Sequence, residues 1–272
     1  MRPRIPLLLT SSIIAHDNGV KLKNTDARLE HTVEGIAHWL KLDPSLSIVI
    51  CDGSDYDLQN QLTKEFPNTL IECLHFENDQ ELVRAFGRGY GEGEIIRYAL
   101  QNSKLINESG NFMKCSSKLW VEKFRACSAY WNGEFLCKGV FSNVFTILKK
   151  TKFDYIDTRF YFCSKSFYEK YLLEVHRSIN AEAGRSLEEC FHEAICTARM
   201  EKFLLPVAPV IQGVGGGTGA YYRNPLKRKL KEKLRLLLVR KNAEYARLFA
   251  DGTSVITASV PYQSQATRDL NL

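Results

Sequence analysis

The sequence predicts an α/β protein: a mixed, mostly parallel sheet flanked by helices, with a basic amphipathic helix near the C-terminus. Three observations carry this. Short apolar runs alternate with helix-period segments along most of the chain. The first run, residues 5–15, ends in hydroxyls, as a buried strand does when its C-terminal end opens on a site. The charge is also concentrated. The 272 residues carry a net +6, yet residues 223–241 hold nine basic residues against Glu232, a net +8 that leaves the remainder at −2. Such a distribution argues against a nucleic-acid binder with cations spread over one face.

In order along the chain, residues 26–42 place Leu29, Val33, Ile36, Ala37 and Leu40 at helical spacing. Residues 47–51 form a second strand, closed by the turn cluster Asp52-Gly53-Ser54-Asp55. A third strand is expected at 69–74, and the glycine-rich stretch 87–93 leads into a helix at 94–102. Residues 111–116 and 155–163 read as strands. Ser186 and Glu189 have capping-box spacing at the head of a helix expected over 186–203. No repeat or low-complexity block interrupts the series.

The eight cysteines contain no Cys-x-x-Cys pair and several lie inside apolar runs, as reduced thiols used as small hydrophobes do. No apolar stretch reaches the roughly 18 residues that span a bilayer. Residues 5–9 are followed by Thr10-Ser11-Ser12 rather than a cleavage site, so they read as a strand and not a secretory leader. The expectation is a cytoplasmic protein.

Chemistry-bearing residues cluster near strand ends. Asp52, just past the second strand, can accept hydrogen bonds from a ribose or base, although Asp-Gly-Ser also serves as a plain turn. The order of hydroxyl-ended strand, long helix, strand and Asp52-Gly53-Ser54 resembles the N-terminal half of GT-A glycosyltransferases, particularly their large family-2 group. That resemblance covers roughly the first 200 residues. It implies a GT-A-like (Rossmann-type) domain over 1–222; the basic segment then reads as an amphipathic helix at 223–250, and the Ser-, Thr- and Gln-rich end as a flexible tail at 251–272. The resemblance also implies nucleotide-sugar binding by Thr10, Ser11, Asp52 and Ser54.

GT-A enzymes usually hold a divalent metal with Asp-x-Asp. Here residues 111–118 read Asn-Phe-Met-Lys-Cys-Ser-Ser-Lys, and the literal Asp55-Tyr56-Asp57 falls in the turn after the second strand. The stretch is similar to that of metal-independent bacterial surface-polysaccharide transferases, with Ser117 and Lys118 where those carry Gly and Arg. The resemblance therefore implies no metal and no cofactor. Lys114, Ser116 and Lys118 would then face the departing diphosphate, since lysines can carry its developing charge. Solvated lysines at a strand end are the structural alternative.

Further candidates follow. Gly91-Glu92-Gly93-Glu94 reads as a helix-start loop near the donor, with Glu94 or Arg97 touching the nucleoside; its glutamates oppose an anion there. Asp157 and Arg159 share a strand face, either as an ion pair or as contacts to acceptor hydroxyls or diphosphate. With Glu189 committed to the capping box, Glu188 is free to act as base, with His192 one turn on as neighbour or alternative. Gly213, Gly215, Gly216, Gly217, Thr218 and Gly219 form a loop whose amides can wrap a diphosphate. It is not a Walker loop, because Gly-Lys-Thr is missing.

Finally, Leu226, Leu230, Leu234, Leu237 and Leu238 make one face of a helix otherwise lined with lysine and arginine, as in helices that lie on anionic membranes. The combined expectation is the inverting, metal-independent transfer of a sugar from a nucleotide-sugar to a hydroxyl of a lipopolysaccharide or capsule glycan, on a lipid-linked acceptor at the inner membrane face. Donor sugar, linkage and oligomeric state stay open. A nucleic-acid binder using 223–241, or another nucleotide-using transferase, are the alternatives.

Overall fold

The structure, a computed structural model, describes residues 5–17, 19–180 and 182–252. Residues 1–4 and the expected tail from 253 onward lie outside them.

The chain runs β1 (Leu7–Ser11), α1 (Thr25–Leu42), β2 (Ile48–Asp52), α2 (Gln59–Glu65), β3 (Ile71–His75), α3 (Gln80–Phe86), α4 (Arg88–Asn102), α5 (Lys104–Ser109) and β4 (Asn111–Ser116). It continues through β5 (Leu119–Val121), α6 (Phe124–Ser128), β6 (Phe135–Ser142), β7 (Lys152–Ser164), α7 (Lys165–Tyr171), α8 (Leu187–Thr197), β8 (Ile211–Gly213) and α9 (Leu226–Lys241). Six strands form one sheet in the order β3-β2-β1-β4-β7-β6, and β5 pairs with β8 in a small second sheet. The first four neighbours are parallel, whereas β7 is antiparallel to both β4 and β6. The mixed, mostly parallel sheet flanked by helices is thus present.

Because side chains alternate across a strand, β1 and β2 feed two apolar layers. Leu8, Val49 and Cys51 join residues of α4, α5, α7 and α8 on one face. Leu7, Leu9, Ile48 and Ile50 join Ile36, Trp39 and Phe124 on the other. Six cysteines are buried, and burial raises their thiols, with Cys115 and Cys127 at about 12, so they behave as the small hydrophobes expected. Beyond α9, Tyr245, Phe249 and Ala250 return to the core, where Ala250 donates to the Leu204 carbonyl at 2.9 Å.

Several expectations shift. Helix α4 starts at Arg88, so Gly91-Glu92-Gly93 is helical and not a loop. The reason is packing, since a Cβ on Gly93 would lie 2.2 Å from His176 Cγ. Helix α8 stops at Thr197, well before residue 203. Arg199 and Lys202 turn the chain with positive φ, and Phe203 and Leu205 then bond along β6 at Cys137. In α1 the buried stripe is Arg28, Thr32, Gly35, Ile36 and Trp39, one position earlier than the apolar spacing suggests.

The turn between β4 and β5 presses on that stripe at Thr32, Gly35 and Trp39. Trp39 Nε1 donates to the Leu119 carbonyl at 2.9 Å, and Thr32 Oγ1 lies 3.3 Å from Ser117 Oγ. A Cβ on Gly35 would sit 2.4 Å from the Ser117 carbonyl oxygen. Gly35→Ala should therefore cost about 1–3 kcal/mol of stability, read as a lower urea midpoint.

Candidate functional site

The strand order reverses beside β1: the chain moves outward to β2 and β3, then crosses back to β4 on the other side. In such sheets the crevice beyond the carboxyl ends of the diverging strands binds ligands. A cavity of about 1620 Å³ lies there. Thr10 and Ser11 of β1 line it, as do Ser116 of β4 and Lys118 just past it, and the glycine loop from Gly215 to Thr218. Thirteen lysines and arginines line this cavity against five carboxylates, which gives it a positive field.

The cations are densest at the glycine loop. Arg28, at the head of the buried α1 stripe, donates from Nε and Nη2 to the Ser12 carbonyl and from Nη1 to Leu22 O at 2.9 Å. Lys118 is 6% exposed and, among the described residues, its ammonium has no hydrogen-bond or ion-pair partner. Burial, with repulsion from Arg28 added, pushes Lys118 down to about 7 against a smaller upward pull from Asp52. A Cβ on Gly216 would lie 3.9 Å from both Arg28 Nη1 and Lys118 Cδ, which places the two cations side by side beneath the loop. The Arg88 guanidinium occupies the space that a side chain on Gly217 would fill.

The loop itself is a tight turn and not a slack linker. Gly219 N donates to Gly215 O at 2.7 Å, Lys21 N to Gly217 O at 3.0 Å, and Val214 N to Lys118 O at 3.0 Å. Gly213 has φ +100°, and a Cβ there would meet Lys118 O at 2.2 Å, so only glycine lets the loop close on the lysine backbone. Among the described residues the amides of Gly216 and Gly217 have no acceptor. Ser11 Oγ, also on the cavity lining, is buried and unpartnered among them. Arg28, Arg88 and Lys118 thus share the cavity lining with Gly216, Gly217 and Ser11.

The carboxylates differ in availability. Asp157 and Arg159 both line the cavity and are joined at 2.7 and 2.6 Å, with Arg159 also stacked 5.1 Å from the Tyr222 ring centre. Burial opposes both charges, yet each holds the other ionised: Asp157 below and Arg159 above its ordinary value. The pair is closed. Glu188, in the first turn of α8, lines the cavity and accepts from Thr158 Oγ1 at 3.2 Å. Ser186 Oγ lies 2.5 Å from both Glu188 Oε2 and Glu189 Oε2, and its single proton serves one carboxylate at a time. Glu189 completes the capping box.

Other expected site residues lie elsewhere. Asp52 is fully buried and accepts from Ile13 N at 2.9 Å and Ser54 N at 2.8 Å. With Ser54 Oγ bonded both to it and to Ile14 N, it staples the loop after β1 to the turn after β2 and leaves the lining to Gly53. Lys114 is wholly buried behind the wall, paired with Glu92 at 2.6 Å and donating to Thr158 O at 2.9 Å. Glu94 holds His176 at 2.8 Å and Arg97 at 2.9 Å, away from the cavity lining. His192 packs on Phe153 at 4.3 Å, half-buried and lowered by burial, also away from the lining. Asp55 pairs with His75 and Asp57 caps the start of α2. Among the described residues no three His, Cys, Asp or Glu side chains gather as a metal-holding group.

Arg28 and Arg88 are the residues that sequence reasoning missed. A charged residue four and seven positions before Thr32 and Gly35 on α1 would have marked the first as buried, once Gly35 was seen to need a close neighbour.

No protein-family model matches the chain, and no curated protein sequence matches it either. Among solved structures the chain is similar to HddC from Yersinia pseudotuberculosis, at 14% identity over 62% of this chain and 80% of that one, with a TM-score of 0.34. A protein from Desulfovibrio desulfuricans G20, assigned as a nucleotide-diphospho-sugar transferase, is 11% identical over 75% and 79% of the two chains, with a TM-score of 0.45. The 4-diphosphocytidyl-2C-methyl-D-erythritol synthase from Anaerococcus prevotii is 10% identical over 87% and 100%, with a TM-score of 0.41.

Inorganic pyrophosphate, titrated calorimetrically, should bind more weakly above about pH 7, by up to about tenfold per pH unit, because the empty cleft then holds a neutral Lys118 that must take up a proton. Lys118→Met should weaken binding and lose that dependence relative to the parent, the ligand's own titration being common to both. Gly217→Ala, by displacing Arg88, should weaken binding while keeping it.

Proposed function

We propose that this protein is a transferase that takes a nucleotide-sugar as donor and passes its sugar to a hydroxyl of a bacterial surface glycan, of lipopolysaccharide or capsule type. The observation that carries the reading is the gathering of Arg28, Arg88, Lys118 and the Gly216 and Gly217 amides in the cavity that also presents the Glu188 carboxylate.

In this reaction the acceptor hydroxyl attacks the anomeric carbon. A new C–O bond forms as the bond to the diphosphate oxygen breaks, and the hydroxyl proton passes to Glu188. Charge appears on the departing nucleoside diphosphate, where the three cations and two amides stabilise it without reorganising. In-line displacement of this kind inverts the anomeric centre. Thr158, donating to Glu188 Oε1, orients the base. Since the protein's own cations meet the leaving group, the reaction is proposed to proceed without a metal.

A thermal-shift panel of UDP, GDP, CMP and dTDP sugars, with S-adenosylmethionine as the contrasting donor, identifies the nucleotide. Product analysis then separates sugar transfer, which releases a nucleoside diphosphate, from nucleotidyl transfer, which releases pyrophosphate. Glu188→Gln should lower kcat by about 10²–10⁴-fold with donor affinity retained. Turnover should survive EDTA. Unchanged turnover in Glu188→Gln, or loss on chelation with recovery on adding Mn²⁺, would overturn the respective part.

A further inference from the structure

Helix α9 has two faces, and the structure uses the less apolar one to join the body. Val239 is buried, Leu236 packs on the core, and Glu232 meets Lys138 at 3.5 Å. The leucine face turns outward: Leu226 is 79% exposed, Leu230 65%, Leu234 51% and Leu237 50%. At 100° per residue these four form one stripe, with Lys227 and Lys231 along one side and Lys233 and Arg240 along the other.

A second element extends the patch. The loop between β6 and β7 carries Phe145, whose ring lies 5.5 Å from both Lys231 Nζ and Arg235 Cζ on α9. Two residues on, Ile147 and Leu148 are the most exposed large apolar side chains among the described residues, followed by Lys149 and Lys150. Exposed apolar side chains grouped on two neighbouring elements in this way mark contact surfaces.

We propose that α9 and the 145–148 loop together seat the protein on an anionic lipid surface. The leucine stripe and Ile147-Leu148 would enter the acyl boundary while the flanking lysines and arginines meet lipid phosphates. Charge selects this occupant. A second copy would bring the same rows of cations face to face, and Glu232, the one acid on α9, is already turned to Lys138. No helix among the described residues is long and apolar enough to cross a membrane, so the attachment is peripheral at this surface. Lys233, Leu237 and Arg240, at the edge of this stripe, also line the cavity together with Arg228 and Lys229, so docking holds that cavity wall against the bilayer. The docking itself does not depend on the reaction proposed above.

The test is flotation of the full chain with vesicles of phosphatidylcholine alone or mixed with phosphatidylglycerol. The protein should float with the mixed vesicles at least about tenfold more than with neutral ones, and high salt should release it. The Leu230→Glu/Leu234→Glu and Ile147→Asp/Leu148→Asp pairs should each lose this binding while keeping pyrophosphate affinity, which reports an intact cleft. Ile147 and Leu148 touch solvent almost entirely, so their replacement leaves the fold unburdened. Equal flotation with neutral vesicles, or parent-like flotation of both variants, would overturn the proposal. So would a sedimentation dimer dispersed by Leu230→Glu/Leu234→Glu, since a second copy would then cover the stripe.

Discussion

Two cations without a carboxylate in contact, Arg28 and Lys118, sit buried at the reversal of the strand order, and much of the molecule is arranged to keep them there. Burying unpaired charge is expensive, and it is tolerated where surrounding dipoles or an incoming ligand offset it. For Arg28 the offset is three bonds to backbone carbonyls. For Lys118 there is no such offset; burial and its neighbour instead push it down to about 7. The nearby Asp52 acts on both only at a distance, because its oxygens already hold Ile13 N and Ser54.

Rigidity around this pair comes from close backbone approaches. Gly35 lets α1 press on Ser117, and Gly213 lets the glycine loop close on the Lys118 carbonyl. Trp39 fastens the next residue, Leu119. The backbone around the lysine is thereby fixed from both sides by close approaches at two glycines, and in the reading proposed above the groups facing the diphosphate are placed before any ligand arrives. Preorganisation of this kind is where electrostatic catalysis draws its strength.

Much of this was legible in sequence, though unevenly. The strands β1, β2 and β4 announced themselves through apolar runs, β1 also through its hydroxyl end, and the spacing of Ser186 and Glu189 gave both the cap and the neighbour Glu188. Lys114 and Lys118 look alike in the sequence, yet Lys114 lies within β4 and is spent on Glu92, while Lys118 lies past the strand end and is free. Asp52 looked like a ligand for ribose because a carboxylate at a strand end can serve either a ligand or its own turn; the amides of Ile13 and Ser54 decide for the turn. Arg28 and Arg88 were hidden for different reasons. The α1 stripe is too polar to show a hydrophobic period, and Gly87 to Gly93 reads as a loop because the close approach of His176 to Gly93 is a tertiary fact. In α9 the leucine period was plain, but only packing shows that Val239 and Leu236 take the body and leave the leucines outside. The positive charge of that helix thus lies partly along the cavity and partly beside the exposed leucines.

The central claim is that Lys118 waits, partly deprotonated, for a diphosphate. An NMR titration of the Lys118 ε-methylene, assigned against Lys118→Met, measures this directly. The account predicts a pKa near 7 in the free protein that rises clearly when a nucleoside diphosphate is bound. A free-protein value near that of an ordinary exposed lysine, unmoved by the nucleotide, would contradict it.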